Sequence, residues 1–393
     1  MADPPVQREQ RVTPLELFFD LVFVFAITQV TQLMSADPTW RGVGRGMLVL
    51  SVLWWAWTGY AWVTNSLEPE EGRVRAGMFA AMVAMFLAAM AVPGAFGSNA
   101  VLFGVAFLLV RLINLVLYLI AAKRDPDLLR ALRRFTPTAT IGPLIIFAAG
   151  FVGGGLRGWL WVVALAVIFS GAVISGGQGW RISPAHFAER YGLIVIIALG
   201  ESVIALGVGA RGVRSVSAGT MTAAILGLLV IAALWWAYFD VIAVLAQRYL
   251  AETAGPTRAR LARDYYAYLH LPMVAGIVLF ALGLKTTIEQ VGEHLAAVPA
   301  FALFGGLGLY FLTHVALRIR MVGLIRRTTT NRPGWIGPGR LVAGIAMLAL
   351  IPAALELPAL DSLGLATGVC CALIAWDVIH YREHRVEVRR ART

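Results

Sequence analysis

Glu16 and Asp20 stand four residues apart inside PLELFFDLVFVFAITQVTQLM (14–34), an otherwise apolar run long enough to cross a bilayer. That spacing puts both carboxyls on one helical face, one turn apart, with Phe18 and Phe19 just before Asp20 and Thr31 near the same face. A carboxyl held in oil is expensive, and it faces a bundle interior, a partner or water. Its natural chemistry is binding and releasing a proton or cation. Other apolar runs carry similar groups. His186, Glu189 and Arg190 have i, i+3, i+4 spacing and share a face, and Glu201 follows about 18 Å further along that helix. Arg111 lies mid-run, with Asn114 and Tyr118 on its face. Asp240 falls in a later run, and His270 precedes Pro272 in YYAYLHLP. An unperturbed pKa of about 6.5 suits His270 to relaying protons.

These groups also have bland readings. Glu16, His186, Glu189 and Arg190 equally describe an ion-pair cluster that locks two helices. A charge at the bilayer centre costs about 2.5–3.5 kcal/mol, so Arg111 and Glu201 are expected to pair with each other or with Asp20. His314, Asp377 and His380, near span ends, are expected to snorkel to water. Trp54, Trp55, Trp57, Trp235 and Trp236 read as packing and interface anchors. Cys370 and Cys371 read as small core residues, with no disulfide framework and no metal-ligand spacing.

The elements that must hold these groups are membrane spans. The chain is 59% hydrophobic and 14% charged, where a soluble domain carries about 25% charge. Its first thirteen residues, MADPPVQREQRVT, carry no apolar stretch, so no cleaved leader is expected. Twelve spans are predicted: 15–34, 43–64, 76–96, 101–122, 137–155, 158–178, 187–209, 219–246, 264–284, 297–317, 341–357 and 359–380. With alternating loops, 26 Lys and Arg fall on the side of both termini and 6 on the other, Arg111 lying within a span. The net charge of +11 is therefore read as membrane orientation, with both termini cytoplasmic, rather than as a nucleic-acid surface.

A repeat divides the chain into 1–180 and 181–393. Arg11-Val-Thr-Pro and Arg181-Ile-Ser-Pro precede the first and seventh spans, and LVFVFAITQ (21–29) matches LIVIIALGE (193–201). LWWAW (53–57) matches LWWAY (234–238), and LFG recurs at 102–104 and 303–305. Six spans per half is even, so the halves insert the same way up. The expected fold is an all-α polytopic membrane protein of about twelve transmembrane helices in two parallel six-helix repeats.

RVTPLELFFDLVFVFAITQVTQ (11–32), HFAERYGLIVIIALGESVIAL (186–206) and YLHLP (268–272) resemble the bacterial low temperature requirement protein A (LtrA) family along essentially the whole chain. The resemblance implies a multi-spanning membrane protein linked by name to growth in the cold. The family's motif residues fall on Glu16, Phe18, Phe19, Asp20, His186, Glu189, Arg190, Gly200, Glu201 and His270. The first motif is also similar to the first helix of potassium channels that carry an F-S-D motif, with Phe19 at their Ser position and Tyr191-Gly192 in the second repeat. That is a likeness of fold.

The leading expectation is a transporter or channel for a small solute or ion. Glu16, Asp20, Arg111, Glu201 and His270 would form its pathway, supported by Phe18, Phe19, His186, Glu189, Arg190, Asn114 and Asp240. It requires a hydrated route to these groups. Its rivals are a membrane-embedded enzyme acting on lipid or a lipid-linked substrate, and a structural or regulatory protein without turnover. No Walker lysine loop, HExxH or GxSxG elbow is present, no cofactor or metal is called for, and the partner expected is the bilayer.

Overall fold

The computed structural model describes residues 11–123, 125–211, 217–325 and 338–380. Arg8, Arg124, Arg214, Arg326, Arg327, Arg332, Arg382, Arg385, Arg389, Arg390 and Arg392 of the charge tally lie outside the described residues. The helices are α1 (Pro14–Ala36), α2 (Trp40–Val63), α3 (Gly72–Ala91), α4 (Ala100–Ala122), α5 (Pro126–Ala149), α6 (Gly154–Ile174), α7 (Pro184–Arg211), α8 (Ala218–Ala237), α9 (Ala243–Glu252), α10 (Gly255–Leu261), α11 (His270–Glu289), α12 (Ala297–Ile325), α13 (Gly339–Ala349), α14 (Ile351–Glu356) and α15 (Ala359–His380). Taking α8–α9, α10–α11 and α13–α14 as continuous pairs, eleven among the described residues are long and apolar enough to cross a bilayer. Twelve were expected. The difference is α5, which begins at Pro126 rather than near 137 and carries Arg130, Arg133 and Arg134 in its first turns.

Local sequence explains the irregular helices. Thr13 caps α1 in a capping box: its hydroxyl accepts from the Glu16 N–H at 3.4 Å, and the Glu16 carboxyl accepts from the Thr13 N–H at 3.0 Å. Pro352 lacks an N–H and crowds the carbonyl four residues back, and α13 accordingly ends at Ala349 before α14 resumes. Pro272 acts alike on α11. A π-helical stretch at Ala262–Tyr268 ends at the residue four before that proline. A second π-helical stretch, Tyr238–Ile242, joins α8 to α9.

α1 packs on α2, α3, α7 and α11, and α7 packs on α8, α9 and α11. The chain α3–α4–α5–α6 is paralleled by α11–α12–α13–α15, with α2 against α6 and α8 against α15. Aromatic side chains fill the centre: Trp54, Trp57, Tyr60, Tyr191, Tyr238, Tyr265 and Tyr266 are buried. Leu21, Val83 and Ile225 are more than half exposed on the outside, as a bilayer-facing surface requires. The loops meet in two groups. Arg181 pairs with Asp125 at 2.7 Å and Arg320 with Asp264 at 2.7 Å. Elsewhere, Arg157 donates to the Gly97 carbonyl at 3.3 Å and Lys285 to the Ser35 hydroxyl at 2.6 Å.

Candidate functional site

The capping box that starts α1 also aims Glu16 across to α7. His186 Nε2 lies 3.0 and 3.1 Å from the two Glu16 carboxyl oxygens, an N–H donating to a carboxylate. One turn on, Arg190 Nη2 donates to Asp20 Oδ1 at 3.0 Å, and Arg190 Nη1 stands 4.0 Å from Glu16. The Trp57 indole N–H donates to the same Asp20 oxygen at 2.8 Å, and the Arg190 guanidinium lies 5.6 Å from the Trp57 ring centre. Glu16, His186 and Arg190 are 0% exposed and Asp20 is 2%. Phe19 is fully buried beside them against Tyr60, at 4.7 Å between ring centres. Four ionisable side chains from two helices thus form one buried cluster. Burial at this depth is tolerable because each carboxyl has a cationic or N–H donor. Asp20 Oδ2, His186 Nδ1 and two Arg190 nitrogens, Nε and Nη1, remain without hydrogen-bond partners.

Glu201 is buried at a second place on the same α1–α7 contact. The Thr28 hydroxyl donates to its carboxyl at 2.6 Å, with Thr31 alongside. Arg111 is neither its partner nor that of Asp20. The expected pairing fails because Arg190 already occupies Asp20, while Arg111 projects from α4 toward α2. There it stands among Tyr60, Tyr118 and Asn114, 5.9 Å from the Phe135 ring centre, with its Nε and Nη1 unpartnered. Asn114 is buried with it.

His270 belongs to a third group. Its Nε2 meets the Tyr238 hydroxyl at 2.8 Å and its Nδ1 the Tyr265 carbonyl at 3.0 Å, with Tyr266 stacked 5.2 Å away. The two π-helical stretches supply these tyrosines, so the widened turns build this pocket around the imidazole. The Tyr191 ring lies 5.4 Å from His270 and 5.0 Å from Trp57, an aromatic bridge back to the first cluster.

The remaining expected residues are scattered. Phe18 is 51% exposed and meets Phe79 on the outside. Glu189 is exposed and accepts from the Val12 N–H at 3.2 Å. Asp240 lies in the π-helical stretch after α8, partly buried. His314 does not snorkel: it is fully buried, its Nδ1 2.8 Å from the Tyr310 carbonyl. Asp377 does not either, since Arg340 from α13 pairs with it at 3.0 Å. His380 is exposed. Among the described residues no three His, Cys, Asp or Glu gather as a metal site.

Trp57, Thr28 and Tyr238 hold the buried groups, yet none stood out as a site residue. A signal existed. Trp57 and Tyr238 end the matched stretches LWWAW and LWWAY, and each donates from that position to a buried acid or imidazole.

Comparison with known proteins agrees with the motifs. The uncharacterized protein RA0937 of Rhizobium meliloti (strain 1021) is 32% identical over 278 residues, covering 68% of this chain and 67% of that protein. No solved structure matches. The family model described as bacterial low temperature requirement A protein matches residues 11–375. With both motif helices carrying the buried cluster inside that match, the chain belongs to the bacterial low temperature requirement A (LtrA) family of membrane proteins.

Proposed function

We propose that the protein is a transporter or channel for a small cation, protons first, working along the contact between α1 and α7. The observation that carries this reading is Glu201: a buried carboxyl with no cationic partner among the described residues, held by a threonine hydroxyl. It shares its helix pair with the Glu16–His186–Arg190–Asp20 cluster, about 22 Å from His186 along α7. An acid without a counter-charge in a membrane interior is suited to taking up and releasing a cation. Between the two sites, Phe23, Ile27, Ile194 and Val195 are fully buried, so cation movement along this contact requires them to part. The ion enters from the cluster end, and Arg190 competes with it for Asp20.

The wider plan in this proposal is twelve crossings in two halves, with residues 1–180 and 181–393 as the repeats. Supporting it, α5 starts beside Arg181 and ends near Arg157 and Gly97, so it runs between the two loop groups as a crossing would. The parallel helix neighbourhoods of α1–α6 and α7–α15 support the halves. The 26-to-6 charge bias supports cytoplasmic termini in the bacterial inner membrane.

The test is proton and monovalent-cation flux into liposomes holding the purified protein. Flux above empty vesicles, lost in Glu201→Gln while the protein stays folded, is the expected result. Unchanged flux in that variant would refute the role of Glu201. One observation favours a second reading, a structural lock without turnover: Glu16 pairs with His186 and Asp20 with Arg190 across α1 and α7 inside the bundle. That reading expects no flux from the wild type under any gradient.

A further inference from the structure

Arg111 is 3% exposed, two of its nitrogens have no hydrogen-bond partner, and no carboxylate among the described residues is within ion-pair distance. A buried guanidinium without a counter-charge is among the least tolerable groups in a protein interior. It also lines a cavity of about 40 Å³ between α2, α4, α5, α6 and the π-helical stretch before α11. Trp62, Tyr118, Phe135 and Trp180 form aromatic walls, with Trp180 meeting the other three rings near perpendicular. The second cation on the lining, Arg263, is already paired with Asp264 at 2.7 Å. No acidic residue among the described residues lines the space. The cavity therefore offers positive charge and unsatisfied N–H donors between aromatic walls, with the Arg111 guanidinium over the Phe135 ring.

We infer that this cavity is a binding site for a small monovalent anion of halide size, held by the Arg111 guanidinium. The volume sets the size class. A water needs about 10–15 Å³ measured in this way, so the space takes a halide and a water or two but not a phosphate headgroup with its glycerol. Charge sets the sign: an anion here neutralises Arg111 as Asp20 neutralises Arg190. Gly59 keeps the approach open, since a Cβ there would stand 2.7 Å from Arg111 Nη1. The site lies apart from the α1–α7 contact, so it stands whether or not cations move there.

The test uses the full chain in detergent at constant ionic strength, exchanging gluconate for chloride. A ligand bound only to the folded state raises its melting temperature saturably. The expected result is such a rise in the wild type, with apparent affinity weakened by about tenfold or more in Arg111→Gln. Arg111→Lys, which keeps the charge, should retain part of the response. Bromide soaked into wild-type crystals and located by anomalous scattering should lie against the Arg111 guanidinium, a measurement that needs no variant to fold. Bromide only at the surface, or an equal chloride response in Arg111→Gln, would overturn the inference. Stabilisation by phosphatidate micelles with none by chloride would overturn it in favour of a lipid headgroup.

Discussion

Replacing Arg190 by methionine should be among the most damaging single changes in the membrane interior. The side chain is 0% exposed and stands between two carboxyls, 3.0 Å from Asp20 and 4.0 Å from Glu16. Without it, Glu16 keeps His186 and Thr13, but Asp20 keeps only the Trp57 indole at 2.8 Å, and its other oxygen already has no partner. Breaking a buried pair by removing one member costs about 3–5 kcal/mol, and Arg190→Met should fall in that range. Asp20→Asn keeps an oxygen for both donors and loses only the charge, so about 1–3 kcal/mol is expected. In the double variant no charge is stranded, and the two costs should fall short of their sum by about 2 kcal/mol. Reversible unfolding in mixed dodecyl sulfate and maltoside micelles, followed by tryptophan fluorescence, measures all three. Glu252→Gln serves as control, because its pair with Arg248 is more than half exposed on both sides and should contribute no more than about 0.5 kcal/mol. Additivity of the Arg190 and Asp20 changes within about 0.5 kcal/mol would mean that the two do not depend on each other, and the argument for a mutually neutralised cluster would collapse.

Two further changes probe the other buried groups. Gly59→Ala places a methyl 2.7 Å from Arg111 Nη1 and 2.9 Å from Asn114 Oδ1. The overpacking should cost about 1–3 kcal/mol in the same unfolding assay, and a neutral result would show that the Arg111 guanidinium swings aside at little cost. Tyr238→Phe removes the hydroxyl facing His270 Nε2 and leaves that nitrogen buried without a partner. A loss of about 1–3 kcal/mol is expected, and an unchanged midpoint would mean that the imidazole finds another donor.

The ordering of the spans and the importance of α1 and α7 were legible in the sequence because both rest on local patterns. Apolar length marks a span, and an acid inside it is conspicuous. The i, i+3, i+4 spacing put His186, Glu189 and Arg190 on one face, and His186 and Arg190 meet α1 there while Glu189 stands exposed. Partner choice was not legible. Arg111 and Glu201 were matched by depth, yet helix neighbours are set by packing across the whole bundle, and α4 turns Arg111 away from α7. The apolar run marked only the part of α5 from about residue 137, because Arg130, Arg133 and Arg134 occupy the first turns of a helix that starts at Pro126. The widened turn at Ala262–Tyr268 fits the clash of Pro272 with the carbonyl four residues earlier. That effect is local, but it builds a pocket only when Tyr238 arrives from another helix.

The close contact of α11 with α12 restricts what the bundle can do. A Cβ on Gly276 would lie 2.6 Å from the Gly306 carbonyl oxygen, and one on Gly306 would lie 2.6 Å from the Gly276 oxygen. Two backbones that touch through reciprocal glycines have no side-chain layer to shear across, so this pair behaves as a keel. Any rearrangement must pivot around it, and α1, which leans on both α7 and the keel's α11, is where sliding has room.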